Sequence, residues 1–336
     1  MLCRVADSLF WMSRYLERAD STVRLVDINL QELMEANIFA EPEMRKYWEP
    51  ILQSLGDLKL YLESYGDSFT SHEVAEFLTF DTDNPSSVIN CVRAARENAR
   101  MVRDQITNEM WEIINRLYLY LKNQNSRDFW SEGPVQFSAT LKEYILLFDG
   151  MTESTFLQRV GYEFIKAGKF LERAEKTGRL IDIKHFIQLP EGIERSGVAD
   201  IKQWSAILNA ASAFDAYHQV YVSDVSRIQA IELLLFNSQF PRSMRFSLSR
   251  LQQAIHAISG CPLSHYSNEA ERRCGRLVSD FSYQKLDDIE SNGGLHHFLT
   301  NVQRELSAIA IELNRSYMFF PIVDPTEPAS PDLDSE

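Results

Sequence analysis

The sequence is poor in helix-breaking residues and in strand patterns. Of its 336 residues only 13 are glycine and 11 are proline. Leu, Ile, Phe and Met dominate over Val, and no run of alternating apolar and polar residues predicts a strand. Hydrophobic residues make up 45% of the chain, which is enough for a full hydrophobic core. We therefore predict an all-α fold, a multi-helix bundle.

The motifs of several enzyme and cofactor classes are also missing. The four cysteines, Cys3, Cys91, Cys261 and Cys274, have neither C-x-x-C spacing nor histidines at zinc-site spacing, which predicts reduced, mostly buried thiols. The chain has no Walker A motif, no G-x-G-x-x-G, no G-x-S-x-G and no supported Cys–His arrangement. We therefore expect no nucleotide site, no cofactor and no standard nucleophile.

Long apolar runs and basic excess are absent too. No apolar stretch approaches the roughly 20 residues of a membrane helix, and charges near Met1 occupy the place of a signal peptide's apolar region. We expect a cytoplasmic protein without a membrane partner. The net charge of −14 argues against nucleic-acid binding.

The end of the chain differs in composition from the rest. Residues 321–336 contain five acidic residues, four prolines and no Lys or Arg, a composition typical of a disordered tail. The remaining residues, 1–320, are predicted to form a single domain.

The chain contains a duplicated charged segment. Residues 16–28 recur 155 positions later as 171–183, with nine of thirteen residues identical, including the dipeptides Glu17-Arg18 and Glu172-Arg173. Apolar residues follow helical spacing through both copies, which predicts two long helices in halves that meet near residue 158. In the first copy these seam residues are Leu9, Met12, Leu16, Ala19, Val23, Val26, Leu30 and Leu33.

Shorter helices are predicted over the rest of the chain from the same periodicity and from turn residues. Their expected ranges are 43–65 (more than one helix), 71–80, 86–106, 111–121, 138–157, 198–222, 224–236, 243–258, 265–287 and 293–318. The second duplicated helix is expected over 160–188.

On a helical wheel each copy carries a polar strip beside its seam. The strips are Glu17, Asp20, Arg24 and Asp27 in the first copy and Glu172, Glu175, Arg179 and Asp182 in the second. Arg18 and Arg173 fall on the opposite side of their helices. Each strip therefore has surplus negative charge.

Two interpretations of the strips remain open. They form either an ion-pair network that fixes the register of packed helices or a substrate or cation site between facing strips. In the second case Glu17 and Glu172 are candidate catalytic residues, and Arg24 and Arg179 are candidate substrate-binding residues.

A second stripe consists of Arg93, Arg96, Arg100 and Arg103 on one helix face. Three interpretations remain open: these guanidinium groups pair with carboxylates of neighbouring helices, including the Glu17 and Glu172 strips, line a groove for phosphate or carboxylate groups, or form a solvated face. For the groove, the candidate substrate-binding residues are Arg96, Arg100 and Arg103, joined by Arg242.

Histidine spacing gives only a weak metal pattern. Asp182-x-x-His185 and Asp215-x-x-His218 each place a carboxylate and an imidazole on one helical face, but the di-metal pattern of helical bundles uses Glu rather than Asp. We predict no metal site and place His185 on the packed seam. His296 and His297 follow two glycines and are predicted to begin a helix.

Several motifs together resemble the alpha-E family, also called the DUF403 family. They are residues 1–19, 95–100, 109–111, 168–174 and 240–243, and the resemblance covers about residues 1–320. It implies an all-α bacterial protein encoded beside, or fused to, circularly permuted ATP-grasp proteins and transglutaminase-like proteins.

This resemblance leads to three functional hypotheses. The first is a helical component of an ATP-grasp-linked system for peptide or amide-bond synthesis or modification, which binds the ligase partner or an anionic or peptidic substrate. The second is an enzyme in its own right that uses Glu17 and Glu172. The third is a purely structural interaction protein.

Overall fold

The computed structural model describes residues 2–38, 40–187 and 198–318. These residues form sixteen α-helices and no strand, so the all-α prediction is confirmed. The first eight helices are α1 Cys3–Glu35, α2 Glu41–Leu55, α3 Leu58–Tyr65, α4 Ser71–Thr79, α5 Val88–Met101, α6 Asn108–Asn123, α7 Ser126–Glu132 and α8 Pro134–Thr155. The tail predicted over 321–336 lies outside the described residues.

The second eight helices follow after a break at residues 156–159. They are α9 Val160–Phe186, α10 Val198–Ala210, α11 Phe214–Val220, α12 Arg227–Phe236, α13 Met244–Ser259, α14 Glu269–Tyr283, α15 Leu286–Ser291 and α16 Gly294–Leu313. A π-helical turn, Asn314–Met318, extends α16.

Some predicted boundaries are wrong. The helix expected over 198–222 is divided between α10 and α11 because Ser212 has a left-handed backbone, with φ of 51°. The helix expected over 265–287 begins at Glu269 and ends at Tyr283, and α15 follows as a separate helix. Helix α7 was not predicted. It has only seven residues, which is too short for a clear helical periodicity, and it ends directly before Gly133.

The sequence duplication is repeated in the packing of the two halves. Helices α1 and α9 lie side by side in the centre, and α5 packs on α1 as α13 packs on α9. The order continues outward, with α6 on α5 matching α14 on α13, and α8 on α1 matching α16 on α9. Helix α2 crosses to α9, and its counterpart α10 crosses to α1. The two halves are therefore interleaved.

The central helices meet through the predicted seam. All eight seam residues of α1 are buried, as the helical periodicity predicts. The backbones approach closely at Gly168, where an added Cβ would lie 2.3 Å from the Phe10 carbonyl oxygen. Ser13 Oγ donates a hydrogen bond of 2.7 Å to the Ile165 carbonyl at the same contact. This contact places α1 and α9 in register for the charged groups one turn further along.

Among the described helices, none is long and apolar enough to cross a membrane.

Candidate functional site

Two reciprocal Glu–Arg pairs connect α1 and α9. Arg18 donates to Glu172 through Nε at 2.6 Å and Nη2 at 3.1 Å. Arg173 donates to Glu17 through Nε and Nη2, both at 2.7 Å. Both pairs are bidentate, the geometry in which a planar guanidinium best matches a carboxylate. The duplicated dipeptide therefore forms a self-complementary contact, in which each copy supplies the partner that the other copy needs.

The prediction that Arg18 and Arg173 point away from the acidic strips is wrong. The helical wheel treats each helix alone, whereas other helices surround α1 on several sides. Because α9 lies beside α1, the long arginine side chain on one helix reaches the glutamate of the other. The adjacent Glu-Arg dipeptide is thus the unit that joins the halves.

Further cations surround these pairs. Arg14 donates to Glu172 at 2.8 Å and to Glu175 at 3.2 Å. Arg242, at the start of α13, bonds Asp20 at 2.6 Å and Glu17 at 3.3 Å. In this Glu–Arg cluster, four carboxylates form ion pairs with seven cations, which are Arg14, Arg18, Arg24, Arg173, Lys176, Arg179 and Arg242. The surplus negative charge of these four strip carboxylates is therefore compensated by cations that lie outside the strips.

The pKa values of Glu17, Asp20 and Glu172 lie below their usual values despite the burial of these carboxylates. Burial raises the pKa of Glu17, but the charges of Arg173 and Arg242 outweigh it, so the pKa lies below its usual value. Glu172 is shifted in the same direction, because Arg14 and Arg18 outweigh its burial. The exposed fractions of Glu17 and Glu172 are 3% and 0%. A general acid or base must reach a substrate proton, and this geometry encloses both candidate catalytic residues.

The lowered pKa values predict a loss of stability in acid. A carboxylate whose folded pKa is depressed stabilises the fold above its unfolded pKa, about 4, and loses that contribution as the pH falls through the folded pKa. For Asp20 the folded pKa is about 2, lowered by Arg242 and Arg24 against burial. We expect the free energy of unfolding to fall between about pH 5 and pH 2.

Urea unfolding of the wild type and Glu172→Gln at several pH values measures this effect. The difference in stability between the two proteins should shrink as the pH falls, since protonation makes the glutamate resemble glutamine. A difference that stays constant down to pH about 2 would contradict the ionised pairs.

A small basic cavity lies next to the cluster, between α1, α2, α9 and α10. Its volume is about 40 Å³, and among the described residues its lining includes four cationic side chains and no carboxylate. The cations are Arg173, Lys176, Arg179 and Arg242, and the other lining residues are Ser21, Thr22, Leu25, Ser54, Leu55, Thr177, Leu180, Ile183, Ala210 and Ala211. Burial lowers the pKa of Lys176, opposed by the Glu172 charge. Each of the four cations also pairs with a carboxylate of the Glu–Arg cluster, and none of those carboxylates is among the lining residues of the cavity.

The predicted substrate-binding residues separate into two groups. Arg179 and Arg242 line the basic cavity, and Arg179 also donates to the Ser54 carbonyl at 2.9 Å. Arg24, the counterpart of Arg179 in the first half, does not line it; it bonds Asp20 at 2.8 Å and Ser212 at 2.5 Å. Each of the two arginines thus holds the end of a helix that crosses over from the other half.

The arginine stripe of α5 lies apart from this cavity. Arg96 donates to Asn115 at 2.8 Å and packs its guanidinium over Tyr118. Arg100 donates to Glu97 at 2.8 Å, and Arg103 donates to Asn108 at 2.7 Å. The prediction that this stripe pairs with the Glu17 and Glu172 strips is wrong, because its partners lie on α5 itself and on α6.

A second, larger cavity opens beside the end of α9. It has a volume of about 300 Å³ and is lined by residues of α9, α10, α12, α15 and α16. Within it, His296 Nδ1 lies 2.8 Å from Asp182 Oδ1, and the His185 ring stacks on the His296 ring at 3.7 Å. The predicted place of His185 in the packed seam is wrong, because its side chain is exposed at this cavity.

Among the described residues, three metal-ligating groups come together at one place. The ligand atoms of His256, Cys261 and Glu271 lie within 4.8 Å of one another. Glu271 already accepts hydrogen bonds from the Ser267 backbone at 2.6 Å and hydroxyl at 2.9 Å. The group is compatible with a cation, while its hydrogen bonds also account for the start of α14.

Sequence reasoning overlooked three residues of these sites. Arg14 lies four residues before Arg18 and extends the same helical face. Lys176 replaces Ser21 of the first copy, and this difference within the duplicated segment is a usable signal. Trp204 lines the larger cavity. No pattern in its own segment distinguishes it, because its position there depends on how α10 packs against the rest of the fold.

Comparison with known proteins gives one family. A family model described as "a predicted alpha-helical domain with a conserved ER motif" matches residues 1–318. Uncharacterized protein Mb2597 of Mycobacterium bovis and uncharacterized protein Rv2567 of Mycobacterium tuberculosis are each 23% identical to the chain. Each alignment covers 92% of the chain, which spans 37% of the length of these relatives. No solved structure matches the chain significantly.

Proposed function

Because the chain belongs to the alpha-E family, we propose that it is the anion-binding helical component of a system that makes or modifies peptide or amide bonds. The observation that carries the proposal is the basic cavity, which four cations and no carboxylate line. The Glu–Arg cluster holds these cations in place between the two halves. The reciprocal pairs therefore serve as the framework, and the cavity serves as the binding site.

The lining specifies the chemical class of the ligand. Guanidinium groups bind carboxylate and phosphate through paired, charge-assisted hydrogen bonds. A volume of about 40 Å³ suits a single small oxyanion group rather than a whole nucleotide. The apolar residues Leu25, Leu180 and Ile183 line the same cavity and suit a short aliphatic segment next to the anion. A peptide carboxylate combines both features.

The proposed partners are a circularly permuted ATP-grasp protein and a transglutaminase-like protein. Support comes from the family resemblance and from the greater length of the two mycobacterial relatives, in which a domain of this kind accompanies further sequence. We expect the purified chain to co-elute with an ATP-grasp protein encoded beside it. Clean separation of the two proteins at micromolar concentration would contradict this part of the proposal.

Calorimetric titration tests the proposed ligand. Three probes separate the sources of the anion: inorganic phosphate, a short peptide with a free C-terminal carboxylate, and the same peptide with an amidated C-terminus. We expect the free-acid peptide to bind and the amidated peptide to bind at least about tenfold more weakly, because the charge-assisted hydrogen bonds are lost. Binding of phosphate alone would assign the cavity to phosphate esters.

Equal affinity for the free-acid and amidated peptides, together with no binding of phosphate, would overturn the anion site.

The hypothesis that Glu17 and Glu172 act as catalytic residues gains no support from the geometry, since guanidinium groups occupy both carboxylates. We therefore propose a structural role for these two residues.

A further inference from the structure

One pair of equivalent aspartates has a different partner in each half. In the first half Asp27 accepts a hydrogen bond of 2.8 Å from Lys142 of α8. In the second half Asp182, the counterpart of Asp27, accepts one of 2.8 Å from His296 of α16, the counterpart of α8. A Lys–Asp ion pair in one half thus corresponds to an Asp–His pair in the other, and the Asp–His pair lines the cavity of about 300 Å³.

The Asp182 contact fixes the chemistry of the His296 ring. A carboxylate that accepts a hydrogen bond from Nδ1–H leaves the lone pair on Nε2, which can accept a hydrogen bond from a ligand. His185 stands where the first half has Leu30, and its ring lies parallel to that of His296, with an interplanar angle of 3°. The His296 side chain is 38% exposed, so a small molecule in the cavity can reach it.

The charge of the cavity favours a cation. Three carboxylates line it, those of Asp182, Asp200 and Glu290, against the two permanent cations Lys184 and Arg227. Lys184 pairs with Asp200 at 2.7 Å, and Arg227 pairs with Glu290 at 2.5 Å. Among the described lining residues, Asp182 thus has a histidine as its ion-pair partner where Asp200 and Glu290 have Lys184 and Arg227. This balance is the reverse of that in the basic cavity on the other face of α9.

Trp204 supplies an independent observation. It lines the cavity, is 1% exposed, and its indole N–H has no hydrogen-bond partner among the described residues. An unpaired buried donor is costly, and an oxygen acceptor on a ligand would satisfy it. The indole and imidazole rings also provide faces that attract an ammonium group.

We propose that this cavity binds a small primary amine that also carries an oxygen acceptor, such as an amino-acid amide. The ammonium group donates a hydrogen bond to His296 Nε2, and the ligand oxygen accepts one from the Trp204 indole.

The site shares no lining residue with the basic cavity. Amine binding and anion binding can therefore be tested independently of each other. If both sites bind their ligands, α9 carries a carboxylate site on one face and an amine site on another. A carboxylate and an amine are the two reactants that form an amide bond. The amine site therefore extends the proposed function by naming a second substrate class.

NMR of the full chain tests the proposal with glycinamide as the probe and acetamide as its control, since acetamide lacks the amine. The indole N–H resonance of Trp204, assigned with Trp204→Phe, should shift on titration with glycinamide and stay unchanged with acetamide. His296→Gln should weaken glycinamide binding at least about tenfold. Lys142→Gln, which breaks the equivalent pair in the first half, should leave the affinity unchanged.

Two outcomes would overturn the amine site. One is an unchanged Trp204 resonance in the wild type at millimolar glycinamide. The other is equal glycinamide affinity in the wild type and a folded His296→Gln variant. If circular dichroism shows that His296→Gln does not fold, Asp182→Asn takes its place, with the same expected loss of affinity and the same contradicting result.

Discussion

Replacing Glu172 by Gln is expected to lower the free energy of unfolding by about 3–5 kcal/mol, measured by urea denaturation at neutral pH. The substitution leaves Arg14 and Arg18 in place but removes the buried charge that both guanidinium groups contact at 2.6–2.7 Å. Glu172 is fully buried, so water cannot replace the lost partner. The unpaired cations account for most of the expected cost.

Glu175→Gln provides the matched control. Glu175 lies one turn further along α9, pairs with Arg14 and Arg179 at 3.2 Å, and retains 16% side-chain exposure. We expect its loss to cost less than about 1 kcal/mol, because exposed and partly exposed pairs contribute little. Similar effects of the two substitutions would show that the reciprocal pairs do not hold the halves together.

Gly168→Ala is expected to destabilise the fold by about 3 kcal/mol or more, at the upper end of the cost of overpacking. An alanine Cβ at this position would lie 2.3 Å from the Phe10 carbonyl oxygen and 2.4 Å from Ser13 Oγ. The Phe10 carbonyl belongs to the backbone of α1 and cannot rotate away, so α1 and α9 must separate. Thermal and urea unfolding both report the loss.

The control for this substitution is Gly150→Ala in α8. An added Cβ at Gly150 meets no atom within 4 Å, so alanine should leave stability unchanged or raise it by about 0.4–1 kcal/mol through its lower unfolded-state entropy. If Gly168→Ala behaves like Gly150→Ala, the close approach of the central helices is not a feature of the folded protein.

The sequence predicts the helices well because helical periodicity is a local property. The seam of α1, from Leu9 to Leu33, is buried throughout, as its spacing requires. The partner of Arg18 is not a local property, since it depends on which helix lies beside α1. The duplication nevertheless contained a usable signal: a Glu-Arg dipeptide present in both copies can pair with itself across a self-complementary contact.

The two cavities could not be predicted from the sequence, because they depend on how the helices pack against one another. The basic cavity requires α2 and α10 to cross between the halves, and no residue pattern within either helix indicates that crossing. The Asp182–His296 pair joins residues 114 positions apart. The sequence shows both residues on helices, and only the packing of α16 on α9 brings them together.

The most direct test of the basic cavity compares Arg179→Gln with Arg24→Gln. The two arginines are counterparts in the duplication and hold equivalent helix ends, but only Arg179 lines the cavity. Calorimetric titration with the free-acid peptide should show an affinity at least about tenfold weaker for Arg179→Gln and unchanged for Arg24→Gln. Equal affinities for the two variants would contradict anion binding between the duplicated helices.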